Sequence, residues 1–353
     1  MRNREKLLDR QNNYDLLRLL STFAVILIHV NATIANQNNM SLIGLNFYSF
    51  VNVITRFSVP SFVMLSGAFI LNNERNTDYK YFYLKSFYKI GIPFIIFSIV
   101  CVLFSELSSI SSGNEFFAPI ESLLRGDIDN YWFMFMLVGI YFLAPIIIRV
   151  KKSVSNKCFC VGSFIWLAFA IISQSTSTYG VSYSFGVVFS FLGFFLVGNV
   201  IYENIAGKRS PVKYIILSLI CFFGVFILRV ATKYSYFTVN PFSSWFSPLI
   251  LIGSILLFIG FSNINIKINL RKFSSYTYLI YLFHTKIYLL LIKIFDRVLP
   301  SIRLCSEIYV LVVAVLALFV SLGCAIIYSK IWSFLENRYG WKNQYIKIVQ
   351  EKD

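Results

Sequence analysis

The chain has 353 residues, 57% of them hydrophobic and 14% charged, with a mean hydropathy of +0.69. A soluble domain carries roughly 25% charged residues, and no polar block long enough to form one is left over here, so a soluble enzyme on an anchor is excluded. The formal net charge of +16 falls in alternate loops, which points to membrane topology and away from nucleic acid.

Met1 to Asn13 is a short polar arm with Arg2, Arg4, Lys6 and Arg10. It leads into the first apolar segment, Tyr14 to Ala35, which has no small-residue cleavage site and reads as a retained helix. Arg18 and His29 interrupt this segment. Eleven residues at about 100° each put them on nearly one helix face, roughly 16 Å apart. An ionisable group at bilayer depth needs a partner or a wet cavity, which makes His29 a functional candidate. Arg18 lies near the segment's start and reads equally well as a cation snorkelling to the headgroups.

Ten candidate spans follow in order, at 14–35, 47–71, 87–106, 131–150, 158–174, 183–202, 212–231, 243–262, 273–293 and 307–332. Each approaches or exceeds the length of about 20 residues that crosses the hydrocarbon core. The fifth is the shortest. The expected fold is therefore all-α, a polytopic integral membrane protein of about ten transmembrane helices. It divides into an arm at 1–13, a membrane domain at 14–332 and a basic tail at 333–353. Lys and Arg cluster in the arm, in every second loop and in the tail, so both termini are expected in the cytoplasm. The loop from Ser108 to Asn130 is the largest outer one and carries Glu115, Glu121, Arg125, Asp127 and Asp129. It either roofs an outer cavity or is an ordinary solvated loop.

The second span carries Arg56, and the seventh carries Arg229 near its outer end, where it reads as snorkelling. The chain has two histidines, His29 and His284, in the first and ninth spans. Apart from edge residues such as Asp15 and Glu106, the spans contain no Asp or Glu, whereas ion-coupled transporters usually need such carboxylates. The interior chemistry is a base and cations suited to anions or oxyanions. The six cysteines, Cys101, Cys158, Cys160, Cys221, Cys305 and Cys324, have no His near them, and Cys158 and Cys160 lack a second pair; neither a metal site nor a disulfide framework is expected.

Five segments, in order, resemble acyltransferase family three, a family of integral membrane O-acyltransferases. They are the Arg18-to-His29 spacing, RFSVPSFVMLSGAFIL from Arg56, YWFMFMLVGIYFLAPII from Tyr131, FLGFFLVGNVI from Phe191, and SSYTYLIYLFHTKI from Ser274. The resemblance covers essentially the whole chain, and ten helices is the family's number. Two positions depart from the pattern. Asn130 and Tyr131 precede Trp132 where many members carry His, and Thr285 follows His284 where Pro is frequent. The first departure weakens a catalytic role for the Trp132 segment.

The resemblance implies an acyl-CoA-dependent O-acetyltransferase in the plasma membrane. It would move an acetyl group from cytoplasmic acetyl-CoA to a sugar hydroxyl of a surface polysaccharide or its lipid-linked precursor. Acyl-CoA, the glycan or lipid-linked sugar, and membrane lipid are the expected partners. A sugar hydroxyl is a weak nucleophile, and an imidazole that titrates near neutral pH suits the base role. His29 is the expected catalytic base. Arg18 is expected to hold the donor, and Arg56 to do likewise or to stabilise the thioester oxyanion. His284, Trp132 and Ser66 are expected to support the site, the last two through packing. A transporter or flippase for a lipid-linked sugar, and a non-catalytic subunit of a polysaccharide assembly system, remain open on the sequence.

Overall fold

Long apolar runs with polar connectors produce helices, and there is no strand among the described residues. The structure, a computed structural model, describes residues 2–37, 42–112, 131–177, 183–231, 244–298 and 306–339. In chain order the helices are α1 (Arg2–Gln37), α2 (Leu42–Ile54), α3 (Ser58–Ile70), α4 (Tyr79–Ser86), α5 (Ile92–Ser112), α6 (Trp132–Ser153) and α7 (Asn156–Ser177). They continue with α8 (Tyr183–Asn204), α9 (Pro211–Ala231), α10 (Pro248–Ser262), α11 (Arg271–Ser274), α12 (Thr277–Val298) and α13 (Ser306–Tyr339).

Among the described residues, eight stretches are long and apolar enough to cross a membrane: Asn12–Asn36, Ile43–Ile70, Tyr79–Leu103, Trp132–Ser153, Gly186–Asn204, Pro211–Ala231, Thr277–Val298 and Glu307–Arg338. Asn156–Ile172 and Pro248–Ser262, at the expected fifth and eighth spans, are shorter apolar helices. The chain is an all-α polytopic membrane protein. The polar arm is helical from Arg2 and continuous with the first span. Its end is clamped: Asn12 donates to the Ile266 carbonyl at 3.2 Å, and Asn13 accepts from the Ile266 N–H at 3.0 Å. Most of the large outer loop, residues 113–130, lies outside the described residues.

The second expected span is broken. The helix stops at Ile54, turns through Thr55, Arg56 and Phe57, and restarts at Ser58. Pro60 is the cause, because it has no N–H to give to the Arg56 carbonyl four residues back. The turn closes with shorter bonds, Arg56 N–H to Val53 O and Ser58 N–H to Thr55 O, both 3.1 Å, while the Thr55 hydroxyl donates to Val51 O at 2.7 Å. Irregular backbone at membrane depth is tolerated only where protein buries it or where it lines a water-filled cavity.

Glycines set the closest helix contacts. A Cβ on Gly67 of α3 would sit 1.8 Å from the Phe195 carbonyl oxygen, and one on Gly198 of α8 would sit 2.2 Å from that of Met64. Helices α3 and α8 therefore touch backbone to backbone, as small residues in membrane helices allow. The side chains form two main apolar cores. One joins α3, α6, α8 and α10 with Tyr14 and Leu17 of α1; the other joins α12 and α13 with Ile26, Leu27, Val30 and Ile34 of α1. Helix α1 thus lies on the seam between the cores, and the segment from Arg18 to His29 runs along it. Large apolar side chains face outward in stripes, such as Ile95, Ile99 and Leu103 on α5 and Val138, Phe142 and Ile146 on α6. In a membrane these are the lipid-facing surfaces.

Candidate functional site

Arg18 sits at one end of the α1 seam in a compact polar knot. Its guanidinium donates to Asp15 Oδ1 at 3.1 Å and to Ser274 Oγ at 2.8 Å, and the Ser274 hydroxyl donates to the same Asp15 oxygen at 2.6 Å. The knot ties α1 to α11, just before α12. Arg18 also stands over the Phe69 ring at 5.7 Å. It is close enough to Tyr141 for electrostatic interaction, and Tyr141 in turn lies near Ser66. The spacing of Asp15 and Arg18, three residues on a helix, is a pairing distance. That local signal marks Asp15 as a partner and not merely an edge residue.

Farther along the seam the two histidines meet. The rings of His29 on α1 and His284 on α12 are 5.4 Å apart, centre to centre. One turn beyond, Thr33 and Tyr288 join the same helices through a 3.5 Å hydroxyl contact. The two imidazoles differ in their surroundings. His284 is fully buried, its Nδ1 bonds to the Tyr281 carbonyl, and Thr285 Oγ1 lies 3.4 Å from its Nε2. A carbonyl can only accept, so Nδ1 carries the proton and Nε2 accepts from the Thr285 hydroxyl. His29 makes no side-chain hydrogen bond among the described residues, and its ring keeps accessible surface.

Beyond the histidines lies a second cationic group, around the break between α2 and α3. Arg56 donates through Nε and Nη2 to Asn52 Oδ1 at 3.3 and 3.1 Å. Arg229 of α9 donates to the same oxygen at 3.0 Å. The sequence reading of Arg229 as snorkelling is wrong, since the residue is 6% exposed. Asn52 draws it inward, and its guanidinium rests over the Tyr48 ring at 5.5 Å. Arg56 rests over Trp245 at 4.9 Å, and the Trp245 and Trp132 rings are 5.1 Å apart. The Trp245 indole N–H is buried with no acceptor among the described residues. Arg56 is close enough to His29 for electrostatic interaction. Both residues keep some accessible surface.

The structure thus brings His29, His284, Arg56 and Trp132 into one region, with Arg18 and Ser66 at the far end of the same seam. The sequence reading missed Asn52, Arg229, Trp245 and Asp15. Asn52 stands four residues before Arg56, a helical pairing distance, whereas nothing local marks Trp245. The arrangement offers a base with open ring nitrogens between two cationic ends. No group of three or more metal-ligating side chains occurs among the described residues.

A family model described as an acyltransferase domain, the third of the acyltransferase families, matches residues 11–330. No curated protein and no solved structure matches the chain.

Proposed function

The chain belongs to acyltransferase family three and is a multi-pass membrane acyltransferase, and from that premise we propose that it carries an acetyl group from acetyl-CoA to a sugar hydroxyl of a surface polysaccharide or its lipid-linked precursor, in the plasma membrane. His29 is the base. One of its ring nitrogens takes the hydroxyl proton while the sugar oxygen attacks the thioester carbonyl. The tetrahedral intermediate collapses to the sugar ester, and the thiolate leaves and takes the proton as free coenzyme A. Arg18 marks the donor's side of the histidine pair. On the positive-inside orientation that side faces the cytoplasm, where acyl-CoA is made.

The observation that carries this reading is the contrast between the imidazoles. His284 has both ring nitrogens occupied, while the ring of His29 keeps accessible surface and makes no hydrogen bond among the described residues. A general base must reach the proton it removes. The test is transfer of labelled acetyl from acetyl-CoA into membrane glycan, with the normal protein and with His29→Ala at equal membrane levels. Label with the normal protein alone supports the reading. Full labelling by His29→Ala removes His29 from the mechanism.

A further inference from the structure

We propose that Ser274 and Asp15 are positioning residues: their bond sets the register of α12 against α1 and so holds His284 beside His29. That His29 is the base rests on the acyl-transfer reading above; the register does not.

The two helices run parallel, and polar groups meet across them at three levels: Arg18 with Ser274, His29 with His284, and Thr33 with Tyr288. The partners' numbers differ by 256 at the first level and by 255 at the last. One register therefore holds along the seam, over roughly 22 Å at about 1.5 Å per residue. Apolar packing does not choose it. Ile26, Val30 and Ile34 of α1 and Leu279, Ile280 and Leu282 of α12 belong to one core, and sliding the helices by a turn sets one aliphatic side chain where another was. In a bilayer the alternative to such a contact is lipid, which is equally apolar. A slip of a single residue moves a side chain about 1.5 Å along the axis and about 100° around it, which takes His284 off His29.

The polar knot does choose. Asp15 and Ser274 are 8% and 3% exposed. The Ser274 hydroxyl donates to Asp15 Oδ1 at 2.6 Å, and Arg18 donates to that oxygen at 3.1 Å and to Ser274 Oγ at 2.8 Å. Each member bonds both others, so a slipped α11 would leave buried polar groups without partners, which is costly. Arg18 and Asp15 already pair within α1; Ser274 is the member that comes from the other helix. It passes its position on to α12. The Thr277 hydroxyl donates to the Ser274 carbonyl at 2.8 Å, and the Ile280 N–H to that of Tyr276 at 2.9 Å. Thr277 opens α12, and His284 stands two turns further on nearly the same face. Buried polar groups fix register in this way in coiled coils, at some cost in stability. The register matters for rate, because a misplacement of about 1 Å can cost about 10²-fold even when its cause lies far from the chemistry.

Ser274→Ala cuts both bonds that the knot makes to α11 and leaves Arg18 with Asp15 inside α1. At matched membrane levels it is expected to lower kcat for acetyl transfer about fivefold, with KM for acetyl-CoA changed by less than about twofold. Ser274→Thr, which keeps the hydroxyl, is expected to restore the rate. Since Ser274 acts through His284, the loss is expected to vanish in a His284→Gln chain, where adding Ser274→Ala changes kcat by less than about twofold. An equal loss in both backgrounds means general destabilisation and overturns the proposal. A loss confined to KM places Ser274 with the donor contact of Arg18 and overturns it too, as does a full rate in Ser274→Ala.

The register is read without any transfer by hydrogen exchange on the purified full chain in detergent. Ser274→Ala is expected to speed amide exchange about tenfold over Thr277–His284 and to leave α8 unchanged. Unchanged exchange in α12, or equally faster exchange in α8, overturns the proposal. Faster exchange in α12 alone, in a protein that transfers no acetyl to any sugar, counts against the acyl-transfer reading and leaves the register standing.

Discussion

The two cationic ends of the α1 seam are built on opposite principles. Arg18 meets a carboxylate, Asp15, and a hydroxyl that bonds to the same carboxylate oxygen. Its charge is largely answered by the chain itself. Arg56 meets an amide oxygen and an aromatic ring, which leave its positive charge in place. A cation paired within its own chain orients and fastens helices, whereas a cation held by neutral groups, as Arg56 is, keeps its charge for a developing oxyanion. The same contrast separates the imidazoles, for His284 is fixed by hydrogen bonds and His29 is left open.

The contrast is most exposed at the histidines. His29→Ala is expected to lower acyl transfer by roughly 10²–10⁴-fold, the usual worth of a positioned base. His284→Gln is expected to cost about tenfold or less through lost positioning. Equal losses in the two variants would mean that the pair acts as a unit, and rates measured in membranes at matched protein levels decide.

Next in size are the arginines. Arg18→Gln is expected to raise KM for acetyl-CoA about tenfold with little change in kcat, and Arg56→Gln to lower kcat about tenfold or more with less change in KM, as loss of a donor contact and of an oxyanion contact predicts. Steady-state kinetics with each substrate varied in turn read the split, and a shared KM effect would erase the distinction between the two ends.

Stability gives a smaller and independent test. Asp15→Asn removes the carboxylate from the Arg18 knot and is expected to cost about 1.5–3 kcal/mol, the range for hydrogen bonds to charged groups. Gly67→Ala must push α3 off α8, because the new Cβ meets the Phe195 carbonyl. Such overpacking costs typically ~1–3 kcal/mol. Since α3 begins at the Arg56 turn, that variant is also expected to lower acyl transfer. Gly162→Ala, where nothing lies within 4 Å of the added Cβ, is the control and is expected to be neutral or stabilising by up to about 1 kcal/mol. Thermal unfolding in detergent ranks the three.

Much of the architecture is legible in the amino-acid sequence. The Arg18-to-His29 spacing is a property of one helix, so the polar stripe on α1 follows from counting residues. The apolar spans follow from length and hydropathy, because each helix meets its backbone hydrogen bonds internally and lipid selects apolar surface. The break at Arg56 is also encoded nearby, in Pro60. The burial of Arg229 is not: a cation near a helix end snorkels or turns inward according to what faces it, and Asn52, which faces it, belongs to another helix.

The all-α membrane architecture, the positions of most spans and the pairing of His29 with Arg18 on one face are thus written in the order of residues, because they depend on local periodicity and on the solvent preference of each segment. The closing of His284 on His29, the sharing of Asn52 by Arg56 and Arg229, and the placing of Trp245 under Arg56 arise only when the helices pack. Those encounters join helices that are nearly alike in apolar character, so hydropathy does not choose among them. Backbone-close packing at glycines such as Gly67 and Gly198, and the need of each buried polar group for a partner, do.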